Sequence, residues 1–451
     1  MKKFLLTSLA LTSMSFADIT WQTTEELITP AGTVGITLTT DTAGNTINVI
    51  TYSDPGPPLP LITTSIHTAS GTSWGTLSDL GTTLRLGLTS FAGATDQFVV
   101  VLGNASNGAL TSKTIPVSGT AGTEKTITNI ETSATPARTP VAAGPSGNAI
   151  LGFASSSAQT SYNAIYTASS DSWEVNPTST DHGATIVQAL AAADAGGNYG
   201  IAVYLDGGEG KVAWKIGTND LTSYGQFDTG ITEESLSLAA QVKSTDSDGL
   251  FLLTYIKSNN VYAQVKAAGT STTLDDIGQI STTGDTLEVE TFAAMNKNGD
   301  GIVTWLTDDS RLIGAKYLAS TNTFTTPTTI ATNAEFIVNA TADSNGDFHV
   351  FYEAAEGLII TMTSASMSST SSTWNTPVAA YANASGAEIE SAAASGNPRS
   401  TKFGFAWAIS TSLEHFATFG SVPSNSNHGA SGGNLFRKGK YNLRPGRKPY
   451  R

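Results

Sequence analysis

Oxygen-bearing side chains alternate along two short turns of the sequence. The two sets are Asn296, Asn298 and Asp300, and Asp343, Asn345 and Asp347. Calcium loops place oxygen ligands at positions 1, 3 and 5 in this way, so calcium is the one cofactor that these turns predict. The acidic ligand usual at position 12 is missing, since Thr307 and Ala354 stand there. The same residue types favour a tight turn for backbone reasons alone, and that interpretation stays open beside calcium.

Other residues that commonly do chemistry are scarce. The sequence contains no cysteine, which excludes disulfides, thiolate metal sites and cysteine nucleophiles. It contains five histidines, and none has a partner at metal-ligand spacing. We therefore expect each histidine to be a surface or strand-face residue. No catalytic residue is predicted.

The elements that carry these turns are predicted to be strands. Charged residues make up 13% of the chain and hydrophobic residues 39%, and much of the remainder is Thr, Ser and Gly. Thr favours strands, and helix-forming Lys, Glu, Arg and Leu are scarce. The composition therefore predicts an all-β protein.

A unit of about fifty residues repeats along the chain. A polar turn followed by an apolar strand occurs eight times between residues 41 and 407, and in seven units an aromatic residue closes the strand. These aromatics are Tyr52, Phe153, Tyr204, Tyr255, Trp305, Tyr352 and Trp407. A repeat of this length is typical of solenoids and propellers.

Each unit contains four predicted strands. A strand of small residues precedes the turn, the apolar strand follows it, an alternating strand comes third, and a bulky aromatic such as Trp173 or Trp374 begins a short fourth strand. Four antiparallel strands make one blade of a β-propeller. Eight units predict eight blades, with seven as the alternative if one unit is degenerate. Trp21 is predicted to begin a strand that completes the last blade and closes the ring.

Over residues 18–420 the sequence therefore resembles secreted β-propeller repeat proteins. The resemblance concerns the architecture and identifies no functional family. An outer-membrane β-barrel is the rival architecture, but its strands would be about ten residues long with an apolar band facing lipid. Most apolar strands here are shorter than that.

Acidic residues concentrate in two sets of loops. In a propeller, the loops that lead into the innermost strands and the loops between the second and third strands share one face. Six acidic residues of these loops are candidate binding residues: Glu234, Glu288, Glu335, Glu388, Asp206 and Asp308. We call this group the acidic rim. It is predicted to hold a cation, a basic ligand or a sugar, or else to keep the protein soluble.

The two ends of the chain differ from its body. Residues 1–17 have a basic start, an apolar stretch and the small residues Ser15 and Ala17, as in a secretory signal peptide. Residues 18–435 carry 14 basic and 37 acidic side chains, whereas residues 436–451 carry seven basic side chains and no acidic one. We expect residues 421–451 to form a disordered basic tail that can contact an anionic surface, and we expect the acidic propeller to bind no nucleic acid.

These observations predict an exported, non-enzymatic binding module at the cell envelope or outside the cell. Its partner would be a protein or a glycan, and no transmembrane helix is expected. Two alternatives remain. One is a glycoside hydrolase or lyase that uses carboxylates of the acidic rim, and the other is an envelope scaffold anchored by the tail.

Overall fold

The strands form eight sheets arranged as the blades of a β-propeller. The computed structural model describes residues 18–27, 33–53, 60–81, 85–93, 96–104, 108–128, 132, 139–155, 157–216, 221, 223–231, 235–242, 249–269, 271–282, 287–357, 359–383, 389–409 and 414–424. The predicted signal peptide and residues 425–451 lie outside this range. The alternative of seven blades is excluded.

The first four blades follow the chain from the innermost strand outwards. Blade 1 contains β3 (Thr33–Thr40), β4 (Thr46–Ser53), β5 (Pro60–His67) and β6 (Ser78–Gly81). Blade 2 contains β7 (Arg85–Ala92), β8 (Gln97–Asn104), β9 (Leu110–Pro116) and β10 (Lys125–Thr128). Blade 3 contains β11 (Val141–Ala143), β12 (Ala149–Ala154), β13 (Thr160–Thr167) and β14 (Ser172–Asp181). Blade 4 contains β15 (Ile186–Ala193), β16 (Tyr199–Leu205), β17 (Glu209–Lys215) and β18 (Gly225–Thr229).

The other four blades repeat the same order. Blade 5 contains β19 (Ser237–Ala240), β20 (Phe251–Lys257), β21 (Asn260–Lys266) and β22 (Leu274–Gln279). Blade 6 contains β23 (Leu287–Met295), β24 (Gly301–Thr307), β25 (Leu312–Leu318) and an outer strand in two pieces, β26 (Thr323–Phe324) and β27 (Thr328–Ala331). Blade 7 contains β28 (Ala334–Ala342), β29 (Phe348–Glu356), β30 (Ile359–Met367) and β31 (Val378–Asn383). Blade 8 contains β32 (Ile389–Gly396), β33 (Lys402–Ile409) and β34 (His415–Ser421).

The beginning of the chain completes blade 8, as the sequence predicts. Strands β1 (Thr20–Trp21) and β2 (Glu25–Leu27) both pair antiparallel with β34. Trp21 lies opposite Gly420, and Leu27 lies opposite His415. Two distant segments of the chain therefore share one sheet, and the ring is closed by backbone hydrogen bonds. The edge of β34 is covered by this pairing.

The hydrophobic core lies between neighbouring blades. Blades 5 and 6 share one cluster that joins Leu252 and Val265 to Val303 and Trp305. The second strand of each blade is almost wholly buried because it is covered on both faces, which explains its unbroken apolar run. The described residues contain no helix that is long and apolar enough to cross a membrane.

Five-residue turns join the first two strands in several blades. In the turn 343–347, the N–H of Asp343 donates to the carbonyl of Asp347 at 2.9 Å, and Gly346 has a φ of +92°. The turns 41–45, 144–148, 194–198 and 296–300 have the same backbone bond. Glycine at the fourth position is required because L side chains rarely adopt that φ. We call the end of the propeller that carries these turns the turn face.

Candidate functional site

The central channel opens on the turn face. A cavity of about 590 Å³ is enclosed by the inner strands and turns of blades 8, 1, 2 and 3, and Val242 and Asn339 reach it from blades 5 and 7. We call this cavity the channel mouth. A second cavity of about 260 Å³ between the inner strands of blades 4 to 6 also touches Asn339, so the channel continues along the axis.

Two carboxylates supply the charge of the channel mouth. Asp41 and Asp96 are the charged residues among the described side chains that line it. The Nδ2 of Asn45 donates to Oδ2 of Asp41 at 2.8 Å and to Oδ1 of Asp96 at 3.4 Å. Asp41 is buried, and Asp96 is exposed at a φ of +59°. One amide group therefore brings together carboxylates from blades 1 and 2.

Hydroxyl and amide groups line the remainder of the channel mouth. Thr39 Oγ1 lies 2.7 Å from Ser90 Oγ of blade 2, and Thr40 Oγ1 lies 2.7 Å from Ser395 Oγ of blade 8. Asn397 donates from Nδ2 to the carbonyl of Thr40 at 3.0 Å. These bonds join blades around the axis. They also give the mouth a surface of hydrogen-bonding groups with small side chains between them.

The turn predicted to bind calcium in blade 7 uses its first oxygen for the backbone. Asp343 is fully buried, and its Oδ1 accepts the N–H groups of Asn345, Gly346 and Asp347 at 2.8 to 3.0 Å. Its Oδ2 lies 3.2 Å from Nε2 of His349. This carboxylate therefore holds the turn in shape by itself.

The corresponding turn of blade 6 is built in the same way. Oδ1 of Asn296 accepts the N–H of Asn298 at 2.9 Å, and its Nδ2 donates to the carbonyl of Gly346 in blade 7 at 2.9 Å. Oδ1 of Asp300 accepts the N–H of Ala319 at 3.0 Å. The side chains thus connect one turn to the next around the turn face.

The last residue of the turn has a role that the repeat makes recognisable. In four of the described blades, the side-chain oxygen of this last turn residue accepts a backbone N–H just after the third strand. The donor is the first or the second residue after the end of that strand. The pairs are Asn45 with Ala69, Asn148 with Ala168, Asp300 with Ala319 and Asp347 with Ser369, at 2.8 to 3.0 Å. No group of three or more His, Asp or Glu side chains in the described ranges is placed to hold a metal ion. Calcium binding stays a prediction, and the geometry favours the plain turn.

Three residues of the acidic rim are described, and they lie on the face opposite the turn face. Asp206, Asp308 and Glu335 are exposed there. The N–H of Ala334 donates to the carbonyl of Ser310 at 2.9 Å, so the segment leading into blade 7 touches the loop of blade 6 that contains Asp308. The two sets of loops therefore meet as expected.

Three rim residues cannot be placed with Asp308. Glu234 and Glu388 lie outside the described residues, and the same holds for the side chain of Glu288, whose backbone is in β23. The channel mouth is on the other face of the propeller, and Asp206, Asp308 and Glu335 do not line it. A role of the rim in binding stays a prediction.

Of the two places expected for the histidines, surface or strand face, the structure supports the strand face for three of them: His67, His349 and His415. His67, His349 and His415 are at most 1% exposed, and His182 is 9% exposed, whereas His428 lies outside the described residues. These four side chains are on or beside strands that face a neighbouring blade. Sequence spacing could not show this burial, because a neighbouring blade supplies part of the packing, such as Phe403 beside His349 and Tyr224 beside His182.

Two of these histidines belong to buried polar networks. Nδ1 of His349 lies 2.9 Å from Ser366 Oγ, which extends the contact with Asp343 into a Ser–His–Asp chain. His349 and Asp343 are both buried, at 1% and 0% exposed, so this chain of contacts lies inside blade 7. Nε2 of His415 lies 2.8 Å from Nδ2 of Asn48 in blade 1, and burial lowers the pKa of His415 to about 3.

The residues of the channel mouth were missed by sequence reasoning. Asp41 and Asp96 stand at the first and fourth positions of turns, where acidic residues are common for backbone reasons. Their repeat position is a signal that could have placed them on the turn face. The distance between them could not be read from the sequence.

Comparisons with known proteins find similarity in solved structures. No protein family and no curated protein sequence matches the chain. A protein of unknown function from Dyadobacter fermentans is 8% identical, with a TM-score of 0.43, over 90% of this chain and 99% of that one. The β-propeller domain of the Trilobed protease from Pyrococcus furiosus is 8% identical, with a TM-score of 0.44, over 77% and 98%.

A third neighbour is the six-bladed, fucose-recognising lectin from Aleuria aurantia. It is 14% identical, with a TM-score of 0.33, over 64% of this chain and 93% of that one. At these identities the similarity concerns the propeller architecture. The activity named for each neighbour is a property of that neighbour.

Proposed function

We propose that this chain is an exported binding protein whose propeller is a rigid, non-enzymatic scaffold. Its ligand is a hydroxyl-rich molecule, such as a sugar unit of a glycan, and the binding site is the channel mouth. The observation that carries the proposal is the chemistry of that cavity. Two carboxylates and a set of hydroxyl and amide groups converge in a space of about 590 Å³, within the range of small-molecule sites.

The chemistry of the channel mouth suits an uncharged polar ligand. Carboxylates accept hydrogen bonds from sugar hydroxyl groups, and hydroxyl and amide side chains both donate and accept. Phe91, Ala143 and Ala394 supply apolar surface beside these groups. The inner strands that present them are fixed by bonds between blades, so little conformational entropy is lost when a ligand binds.

Substitution of Asp96 by Asn tests this site. Asn tolerates the positive φ and keeps the size of the side chain but removes the charge. We expect Asp96→Asn to lower the affinity for a bound glycan by about tenfold. The reason is that a hydrogen bond to a charged group contributes roughly 1.5–3 kcal/mol. Isothermal titration calorimetry measures the change. Asp308→Asn makes the same change on the opposite face and should bind with the affinity of the wild type. If the wild type, Asp96→Asn and Asp308→Asn all bind with equal affinity, the channel mouth is not the binding site.

A glycoside hydrolase or lyase that uses the acidic rim is the second candidate. It is supported by the contact between the segments that carry Glu335 and Asp308, which brings two carboxylates into one region. Glycosidases need two carboxylates about 5–9.5 Å apart. Release of reducing ends from a polysaccharide panel, abolished by Glu335→Gln, would favour this candidate over the binding protein.

A further inference from the structure

Aromatic residues fill the interfaces between several blades. Each comes from the outer part of one blade and packs against the preceding blade. The residues are Trp21, Trp74, Trp173, Phe324 and Trp374. Nε1 of Trp173 donates to Oγ of Ser112 at 2.9 Å, and Nε1 of Trp21 donates to Oγ of Ser364 at 3.2 Å.

Blade 5 has no aromatic residue at the corresponding position of its outer strand. Its interface with blade 4 contains Phe227 instead, which comes from the outer strand of blade 4 and lies 5.4 Å from Tyr255 between ring centroids. Phe324 lies opposite Tyr317, and Trp173 lies opposite Tyr166. Both tyrosines are the third-strand residues that pair with the first residue of the second strand. In blade 5, Leu274 lies opposite Lys266 at the same register position. A groove of about 650 Å³ is found at this interface. We call it the blade 4/5 groove.

The blade 4/5 groove has an apolar floor and a polar margin. Trp214, Phe227 and Leu274 are the large apolar residues that line it. Gln226 and Asp276 are exposed at the margin. The ring of Trp214 is held 4.8 Å from that of Phe251, and its indole N–H has no hydrogen-bond partner among the described residues. Asp276 is the charged residue among the side chains that line the groove.

This combination fits an aromatic side chain next to positive charge. Five other interfaces show that the space beside the third strand accepts an aromatic ring, and Asp276 favours a cation close by. The chain itself contains such a segment. Residues 436–451 include Phe436, Tyr441 and Tyr450, with seven Lys and Arg residues and no acidic residue.

The chain leaves the propeller on the face where the groove lies. The N–H of Val422 donates to the carbonyl of Thr401, and the carbonyl of Pro423 accepts Nδ2 of Asn345 at 3.1 Å, both on the turn face. The groove reaches the same face, because Thr273 precedes β22 there. Residues 425–451 can span up to about 90 Å when extended. A folded chain of this size has a radius of gyration of about 22 Å, so the segment can reach the groove.

We propose that the blade 4/5 groove binds an aromatic side chain of the chain's own basic segment, residues 436–451. The propeller thus carries a second binding site besides the channel mouth, and its occupant is supplied in cis. The aromatic ring fills the space that a tryptophan fills elsewhere in the ring, and the flanking cations lie against the acidic margin.

Trypsin cleavage of the full chain tests the proposal, since the segment contains Arg437, Lys438 and Lys440. Leu274→Trp would fill the groove with an internal aromatic. We expect cleavage of the segment to be at least tenfold faster in this variant than in the wild type at low salt. Phe324→Trp places the same residue where a ring is already present, and it should behave as the wild type. In 0.5 M NaCl the wild type should lose part of its protection.

A second variant keeps the test valid if Leu274→Trp fails to fold. Replacing Phe436, Tyr441 and Tyr450 by Ala leaves the propeller unchanged and should also give fast cleavage. Equal cleavage rates in the wild type and both variants would overturn the proposal. Protection that disappears on dilution would overturn it as well, because the segment would then occupy a second copy of the chain.

Discussion

At the residue scale, the side chain of His415 links two blades, and its burial in that position lowers its pKa. It lies on β34, is fully buried, and contacts Asn48 of blade 1. Burial disfavours the charged imidazolium and lowers the pKa of His415 to about 3 from an ordinary value of 6.5. Burial also lowers the pKa of His182, to about 4, and that of His67.

These shifts predict that the fold is less stable in acid. In the unfolded chain His415 takes up a proton near pH 6.5, whereas in the folded chain it stays neutral until about pH 3. The unfolded state therefore binds more protons between these values, and stability falls as the pH falls from 6.5 towards 3. We expect His415 alone to remove about 3 kcal/mol of unfolding free energy by pH 4.

Denaturant unfolding at pH 7 and pH 4 measures this effect. In His415→Gln the loss between the two values should be smaller than in the wild type by about that amount, while other acid-sensitive groups contribute equally to both proteins. An identical loss in the two proteins would show that His415 is already protonated, or solvated, in the folded state.

At the scale of the element, the five-residue turn explains why calcium-like residues recur. Asp343 directs its Oδ1 to three backbone N–H groups, and Asp347 reaches Ser369 beyond the third strand. One oxygen therefore shapes the turn, and another joins it to the next loop of the blade. These bonds use lone pairs that a calcium ion would need.

The geometry of the turns predicts that removing calcium with a chelator does not change the thermal stability of the protein. We expect the same melting midpoint in EDTA and in excess calcium, because the backbone already satisfies the first side chain of each turn. Differential scanning calorimetry of the full chain makes the comparison. A midpoint that falls in EDTA, recovers with calcium and loses this response in Asp343→Asn would establish the calcium site instead.

The elements were more predictable than the site. The spacing of Tyr204, Tyr255 and Trp305 is set by the blade, so the repeat alone indicates four strands and eight blades. The channel mouth depends on how far Asp41 lies from Asp96, and the blade 4/5 groove depends on the register that sets Leu274 opposite Lys266. A single sequence gives neither the distance between two side chains nor the register of paired strands. Neither site could therefore be predicted without the structure.

At the scale of the whole molecule, ring closure depends on a short segment at the start of the chain. Trp21 contacts Phe405 of blade 8, at 5.9 Å between ring centroids, and Phe351 of blade 7, at 6.1 Å. It also donates a hydrogen bond to Ser364. This side chain therefore joins blade 8 to blade 7 while its backbone completes the outer edge of blade 8.

Loss of this contact should weaken the whole ring. Trp21→Ala removes a partly buried aromatic and a hydrogen bond, and we expect it to lower the unfolding free energy by about 3 kcal/mol. Denaturant unfolding monitored by circular dichroism gives the value. Thr20→Ala, an exposed position of the same strand, should cost less than about 0.5 kcal/mol. Similar values for the two variants would contradict closure through Trp21.

The central claim is that the channel mouth binds a hydroxyl-rich ligand, and thermal melting against a panel of glycans tests it most directly. A ligand that binds the folded state alone adds roughly 2.7 kcal/mol at a hundredfold excess over its dissociation constant. For a chain of this length that corresponds to a rise of about 3 °C in the melting midpoint. We predict such a rise with at least one glycan in the wild type and in Asp308→Asn, and a smaller one in Asp96→Asn. An unchanged midpoint with every glycan, or a rise that Asp308→Asn abolishes and Asp96→Asn does not, would contradict the claim.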